Sequence, residues 1–250
     1  MTAQVAAAPD ADVAVVVLWQ LLSLSVSTPT RESLEEVDAL AAALAERPGA
    51  PAALGSLRAA IAGSSPAAVG AAQQRLFGGK VAVAPYEGSY EDDPFRQARQ
   101  MSDVAGFYRA FGAEARGPAH ERPDHAGCEL EFLAFLGARR LAAAEAGHDA
   151  EADLCLEIEE AFLRDHAGRW LPAFFRALER RAPDGFHKAL GRLGADGVEA
   201  ELQRRGINPE PLGPRARRLS VEADNLECAA GSEPVTPLLP GGRRRRRQTH

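Results

Sequence analysis

Glu121, Asp124 and His125 fall within five consecutive residues, directly before a run of large apolar side chains. Two carboxyl groups and an imidazole at that spacing supply acceptors for a guanidinium or ammonium group and a nitrogen that titrates near neutral pH. Pro123 stiffens the segment and disfavours helix at Arg122. Asp124 is then expected to cap the helix that follows, accepting a hydrogen bond from an unpaired N–H of its first turn. Glu129 and Glu131 lie about 200° apart around that helix, too far to act as a close acid pair. One is expected to face solvent and the other to meet a partner or an interior arginine. Upstream, Tyr86, Ser89 and Tyr90 sit in a Gly/Pro-rich loop. The rings of Tyr86 and Tyr90 suit either a peptide platform or a plug for the core.

Other chemistries are weakly supported. His125 and Cys128 have an i, i+3 spacing that can bind a metal, with His120 nearby, but a capping histidine and a buried thiol explain the pair more simply. Gly79-Lys80 is no phosphate loop, because Gln74 stands where the leading glycine belongs. Neither a dinucleotide fingerprint nor a nucleophile elbow is present. No cofactor and no catalytic residue is read from the chain, and an enzyme is not expected. The rival readings are a metal-dependent or small-molecule enzyme on an all-α scaffold, and a nucleic-acid-binding regulator using Arg243–Arg247.

Helix patterns position these residues. Asp12 precedes a helix reaching about Val26. Leu34, Val37, Ala41 and Leu44 mark one face of a second helix, which stops before Pro48-Gly49. Ser65-Pro66 and Asp93-Pro94 each read as a cap followed by a first helical residue. They open helices to Phe77 and through Val104, Phe107, Tyr108 and Phe111. Gly112 to Arg122 is a polar connector. A central helix, from about His125 to Ala146, carries Leu130, Phe132, Leu133, Phe135 and Leu136. Leu154, Ile158, Ala161 and Phe162 give the next helix an apolar stripe. Gly168 is expected to break the chain, Pro172 to begin a helix bearing Phe174, Phe175 and Leu178, and two shorter helices to follow at 186–193 and 196–205. Trp170 is expected in the core.

The 250 residues carry a net charge of −6, and without the five arginines at 243–247 the remainder carries −11. An acidic body argues against general nucleic-acid binding and suits a basic partner. The three cysteines show no Cys-x-x-Cys, so a reducing compartment is the default. Val13–Leu24 is too short for a membrane span, and acidic rather than basic residues precede it, so it reads as a buried first helix. Residues 209–250, rich in Pro, Gly and Arg, are expected to be disordered. The chain thus reads as an all-α helical bundle over 1–208, with a possible subdomain hinge near 113–124 and a disordered tail.

Glu121-x-Pro123-Asp124-His125 followed by Glu129-Leu130-Glu131-Phe132-Leu133 resembles the TorD/DmsD/NarJ family of molybdoenzyme maturation chaperones. Pro85-Tyr86-Glu87-Gly88-Ser89-Tyr90, Tyr108-Arg109-Ala110-Phe111-Gly112, and Phe162-Leu163-Arg164-Asp165-His166 with Trp170 flank it in the family's order. The resemblance spans roughly residues 13–205. It implies a TorD-like fold, a monomer or a swapped dimer, and a cytoplasmic location. It further implies a partner, the apo catalytic subunit of a molybdopterin oxidoreductase, held open for its molybdenum cofactor, and in many members that client's twin-arginine signal peptide. The client-binding residues it implies are Tyr86, Ser89, Tyr90, Glu121, Pro123, Asp124, His125 and Glu129. Glu121 and Asp124 would face the arginines, Tyr86 and Tyr90 the apolar part, and His125 would fix the loop or touch the client.

Overall fold

Short polar side chains and prolines set where the helices begin. Thr30 and Ser33 close a reciprocal capping box, Oγ1 of Thr30 accepting from the Ser33 N–H at 3.1 Å and Oγ of Ser33 accepting from the Thr30 N–H at 2.9 Å. Ser65, Asp93 and Asp184 accept first-turn N–H groups of Ala68, Phe95 and His187 at 3.2, 2.9 and 2.8 Å. Such a cap contributes about 1 kcal/mol. The computed structural model describes residues 8–78, 81–113 and 121–213. These form α1 (Ala8–Val26), α2 (Arg31–Ala45), α3 (Ala52–Ala62), α4 (Pro66–Phe77), α5 (Pro94–Ala110), α6 (Ala126–Glu145), α7 (Asp149–Phe162), α8 (Gly168–Arg181) and α9 (Gly185–Arg205). No strand occurs among the described residues, and the all-α reading is borne out.

The helices pack around one apolar core. α8 lies on α9, α6 lies between α1 and α7, and α3 covers α9. Trp19, Phe162, Trp170, Phe174, Phe175 and Phe186 are fully enclosed. The expected α2 face of Leu34, Val37, Ala41 and Leu44 is buried as a set.

Four expectations need correction. α3 has no counterpart in the sequence reading, since its Ala-rich stretch buries only Ala53, Leu54 and Leu57 and shows little contrast between faces. On α7 the buried residues are Cys155, Glu159 and Phe162, while Leu154 is exposed. A buried acid gives no apolar signal, and the stripe is shifted by one residue. Gly168 does not break the chain: a π turn at Leu163–Ala167 carries α7 into α8, with Pro172 inside the helix. A glycine costs only about 1 kcal/mol in a helix, less than the burial of Leu163, Trp170 and Leu171 returns. Residues 185–205 form one helix rather than two. Its Gly194 lies against the Phe175 ring, where a Cβ would fall 2.4 Å from a ring carbon, so this glycine permits close packing instead of ending the helix.

Of the tail expected to be disordered, 209–213 pack on the body. The N–H of Leu212 donates to the Arg169 carbonyl at 2.9 Å, and its side chain is buried. Residues 214–250, with Arg243–Arg247, and most of the connector, 114–120, lie outside the described residues. Among the described residues no helix is long and apolar enough to cross a membrane.

Candidate functional site

Two loops meet at the start of α6. The Glu87 N–H donates to the Asp124 carbonyl at 2.9 Å, and the Ala126 N–H donates to the Pro85 carbonyl at 2.9 Å, pairing Tyr86 with His125 in an antiparallel bridge. Tyr108, rising from the buried face of α5, donates its hydroxyl to the Pro123 carbonyl at 2.8 Å. The Ser23 hydroxyl of α1 donates to the Gly127 carbonyl at 2.9 Å. The proline-stiffened motif is therefore held from three sides.

Asp124 does not cap α6. His125 does, its Nδ1 accepting from the Gly127 N–H at 3.1 Å, which places the proton of the neutral ring on Nε2. Burial lowers the His125 pKa, with Glu121 and Asp124 opposing the shift, and this favours the neutral form that the cap requires. Asp124 is turned inward and is 1% exposed. Its Oδ2 accepts from the Gly88 N–H at 3.1 Å and from Arg122 Nη2 at 2.7 Å, while Oδ1 accepts from Arg122 Nε at 2.9 Å. At Gly88 the approach is close: a Cβ there would stand 3.1 Å from Asp124 Oδ2 and 3.4 Å from Arg122 Nη2, so a larger residue would press on this ion pair.

The outer surface is made by Tyr86, Glu121 and Arg122. The Tyr86 hydroxyl donates to Glu121 Oε1 at 2.9 Å. The Arg122 guanidinium lies 4.7 Å above the Tyr86 ring, whose edge meets His125 at 5.3 Å between centroids. Burial, reinforced by Glu121, pushes the Tyr86 phenol up to about 12. Beneath lies a second acidic layer. Glu87 is fully buried, with its carboxyl oxygens 3.2 and 3.4 Å from His166 Nδ1. Glu129 is also fully buried: Oε2 accepts from Trp170 Nε1 at 2.9 Å, and Oε1 has no hydrogen-bond partner. Burial, then the neighbouring Glu87, holds the Glu129 carboxyl well above the usual range.

The family described as nitrate reductase delta subunit matches residues 35–176 of this chain. The chain belongs to that family. The resemblance to TorD/DmsD/NarJ chaperones drawn from the motifs is thereby borne out. Among curated relatives, the selenate reductase assembly chaperone protein of Thauera selenatis is 39% identical over 102 residues, 41% of this chain and 51% of the relative. The chlorate reductase assembly chaperone protein of Ideonella dechloratans is 34% identical over 102 residues, with the same two shares. The chaperone protein TorD of Vibrio cholerae strain O395 is 29% identical over 90 residues, 36% of this chain and 40% of the relative. The chain spans about half the length, or less, of the curated relatives it matches.

Within this delta-subunit-family member, the eight residues read as a site divide into two layers. Tyr86, Ser89, Glu121 and Pro123 are half-buried, and the Ser89 N–H donates to the Tyr86 carbonyl at 3.0 Å. Tyr90, Asp124, His125 and Glu129 are inside. Tyr90 is the core plug of the two alternatives. It packs on Trp170 at 5.3 Å between centroids and donates to the Ala84 carbonyl at 3.1 Å, so its ring offers no outer platform. Glu129 meets Trp170 rather than an interior arginine, and Glu131 faces solvent. Cys128 is half-buried, and burial followed by Glu131 pushes its thiol up to about 12. No group of three or more metal-ligating side chains occurs among the described residues.

Two surface residues escaped the sequence reading. Arg122 was read only for its backbone. Phe95 is 86% exposed at the start of α5. Its position was legible: nine residues before the buried Val104, it falls on the opposite face of an ideal helix.

Proposed function

We propose that this chain is a dedicated assembly chaperone for a molybdopterin oxidoreductase, binding a basic and apolar segment of the client at the joined loops 84–91 and 121–126. The observation that carries the reading is the buried Asp124 carboxyl gripping a guanidinium that is stacked on Tyr86. A carboxyl with two parallel bonds and an aromatic face together select guanidinium. A twin-arginine signal peptide combines arginines with adjacent apolar residues. Glu121 and the Asp124–Tyr86 pair suit its arginines, while the exposed Phe95 and the Tyr86 ring suit its apolar part.

The similarity to assembly chaperones of selenate and chlorate reductase supports the client class. In this reading the chain acts in the cytoplasm on the apo catalytic subunit, keeps it open until its molybdenum cofactor is inserted, and delays export of clients that carry the signal. The loops supply the rigid binding face. His125, Glu87 and Glu129 position it from below without touching the client.

The test is an affinity-tagged pull-down from native cytoplasm, with mass spectrometry and molybdopterin analysis of what co-purifies. Wild type is expected to retain a large molybdenum-enzyme subunit and Asp124→Ala to lose it. Unchanged capture by a folded Asp124→Ala protein, or no capture while the enzyme is being made, contradicts the reading.

A further inference from the structure

The guanidinium on Asp124 belongs to the chain itself. Arg122 makes both parallel bonds to the carboxyl, at 2.9 and 2.7 Å, and covers the Tyr86 ring. The carboxyl is 1% exposed, the Arg122 side chain 50%. The Gly88 N–H also donates to the Asp124 carboxyl, at 3.1 Å. An incoming guanidinium therefore finds the outward edge of Asp124 already filled.

We infer that Asp124 and Tyr86 form an arginine subsite that Arg122 occupies in the unliganded protein, and that a client arginine binds by exchanging with it. The inference rests on the proposed function and deepens it.

Three consequences follow from the chemistry. First, exchange keeps the carboxyl paired throughout. A buried charge stripped of its only cation is costly, whereas one guanidinium replacing another leaves the pair intact. Second, the exchange is nearly neutral by itself, so net affinity comes from contacts beyond the arginine. A lone arginine then binds poorly, and an arginine joined to an apolar segment binds well. Selectivity arises from an internal competitor at high effective concentration. Third, lysine is a poor client residue here, because an ammonium makes no second parallel bond and stacks less well than a planar guanidinium.

Arg122 can leave without dismantling the loops. The backbone bonds of Glu87 to Asp124 and Ala126 to Pro85, and the Tyr108–Pro123 bond, do not involve its side chain.

The experiment uses the full chain as wild type, Arg122→Ala and Arg122→Lys, with folding checked by circular dichroism. Two probes are titrated: methylguanidinium, read by thermal shift, and a synthetic peptide with two adjacent arginines before an apolar stretch, read by fluorescence anisotropy against its double-lysine version. Arg122→Ala is expected to bind the arginine peptide about fivefold tighter than wild type, the factor set by loss of a half-exposed competing ion pair. The lysine peptide should show no such gain. Methylguanidinium should raise the melting temperature of Arg122→Ala and leave wild type unchanged. Should the alanine variant be unstable, Arg122→Lys keeps a cation beside Asp124 and is expected to shift in the same direction. Equal or weaker peptide binding by the folded variants overturns the inference and makes Arg122 a structural clamp. A methylguanidinium response without arginine-peptide binding in any variant preserves the subsite and overturns the client reading. Absence of both responses overturns the subsite itself.

Discussion

Two buried ionic clusters in this protein are built to opposite rules. One joins α1, α6, α7 and α9. There Arg140 meets Asp12 and Glu159 at 2.8 Å each, and Arg205 meets Glu159 and Glu201 at 2.5 Å each. Arg204 meets Asp12 at 2.9 Å and Glu201 at 2.7 Å. Three arginines face three carboxyl groups, and each carboxyl group touches two arginines. The other cluster runs from the surface of the paired loops to the layer beneath them. There Glu87, Glu121, Asp124 and Glu129 are served by Arg122, His166, Tyr86 and Trp170, and of these four only Arg122 carries a permanent charge. The first cluster is a neutral joint. Among the described residues the second is an excess of acid with one replaceable cation, an arrangement that suits a basic segment.

The sharpest way to break this contrast is to unbalance the joint. Glu159→Ala takes one of two carboxyl partners from both Arg140 and Arg205, leaving three arginines against two carboxyl groups. Removing one member of a buried pair costs about 3–5 kcal/mol, so a large fall in the urea midpoint is expected, with client affinity per folded molecule unchanged. A comparable loss of client binding would mean that the two clusters are not separate in function.

A smaller effect is expected at Glu129, with a defined sign. Its carboxyl titrates above its unfolded value of 4.5, so the folded chain holds the proton more tightly than the unfolded one. Stability therefore falls as pH rises from about 4.5 toward the folded pKa and is lowest above it. Glu129→Gln, which cannot ionise, is expected to flatten that slope in denaturation curves collected across pH. An unchanged slope would mean that the acid excess is neutralised by other means.

The smallest stability effect is expected at Phe95. An exposed position away from caps and core changes stability by less than about 0.5 kcal/mol. Phe95→Ser is therefore expected to melt like wild type yet bind the apolar half of the arginine peptide more weakly. Equal affinity would confine the site to the loops.

The helices were largely legible because caps and apolar spacing are local signals. Ser65-Pro66, Asp93-Pro94 and the Leu34–Leu44 face all appear as read. The two failures at glycines share a cause. Gly168 and Gly194 look like breaks in one dimension, but their meaning comes from what packs beside them. The motif was legible as a candidate site, whereas its layering was not. Asp124 was read as a cap because it precedes the helix, yet His125 has the acceptor in reach and Asp124 is drawn inward by Arg122 and the Gly88 N–H. Tyr90 and Tyr86 share a loop, and only Trp170, eighty residues away in the chain, decides which of them is buried.

The most direct measurement is hydrogen–deuterium exchange of the full chain with and without the double-arginine peptide. The account predicts new protection in the amides of 84–91 and 121–126, with the α1, α6, α7 and α9 joint unchanged. Protection confined to the joint, or none at the loops under saturating peptide, would contradict it.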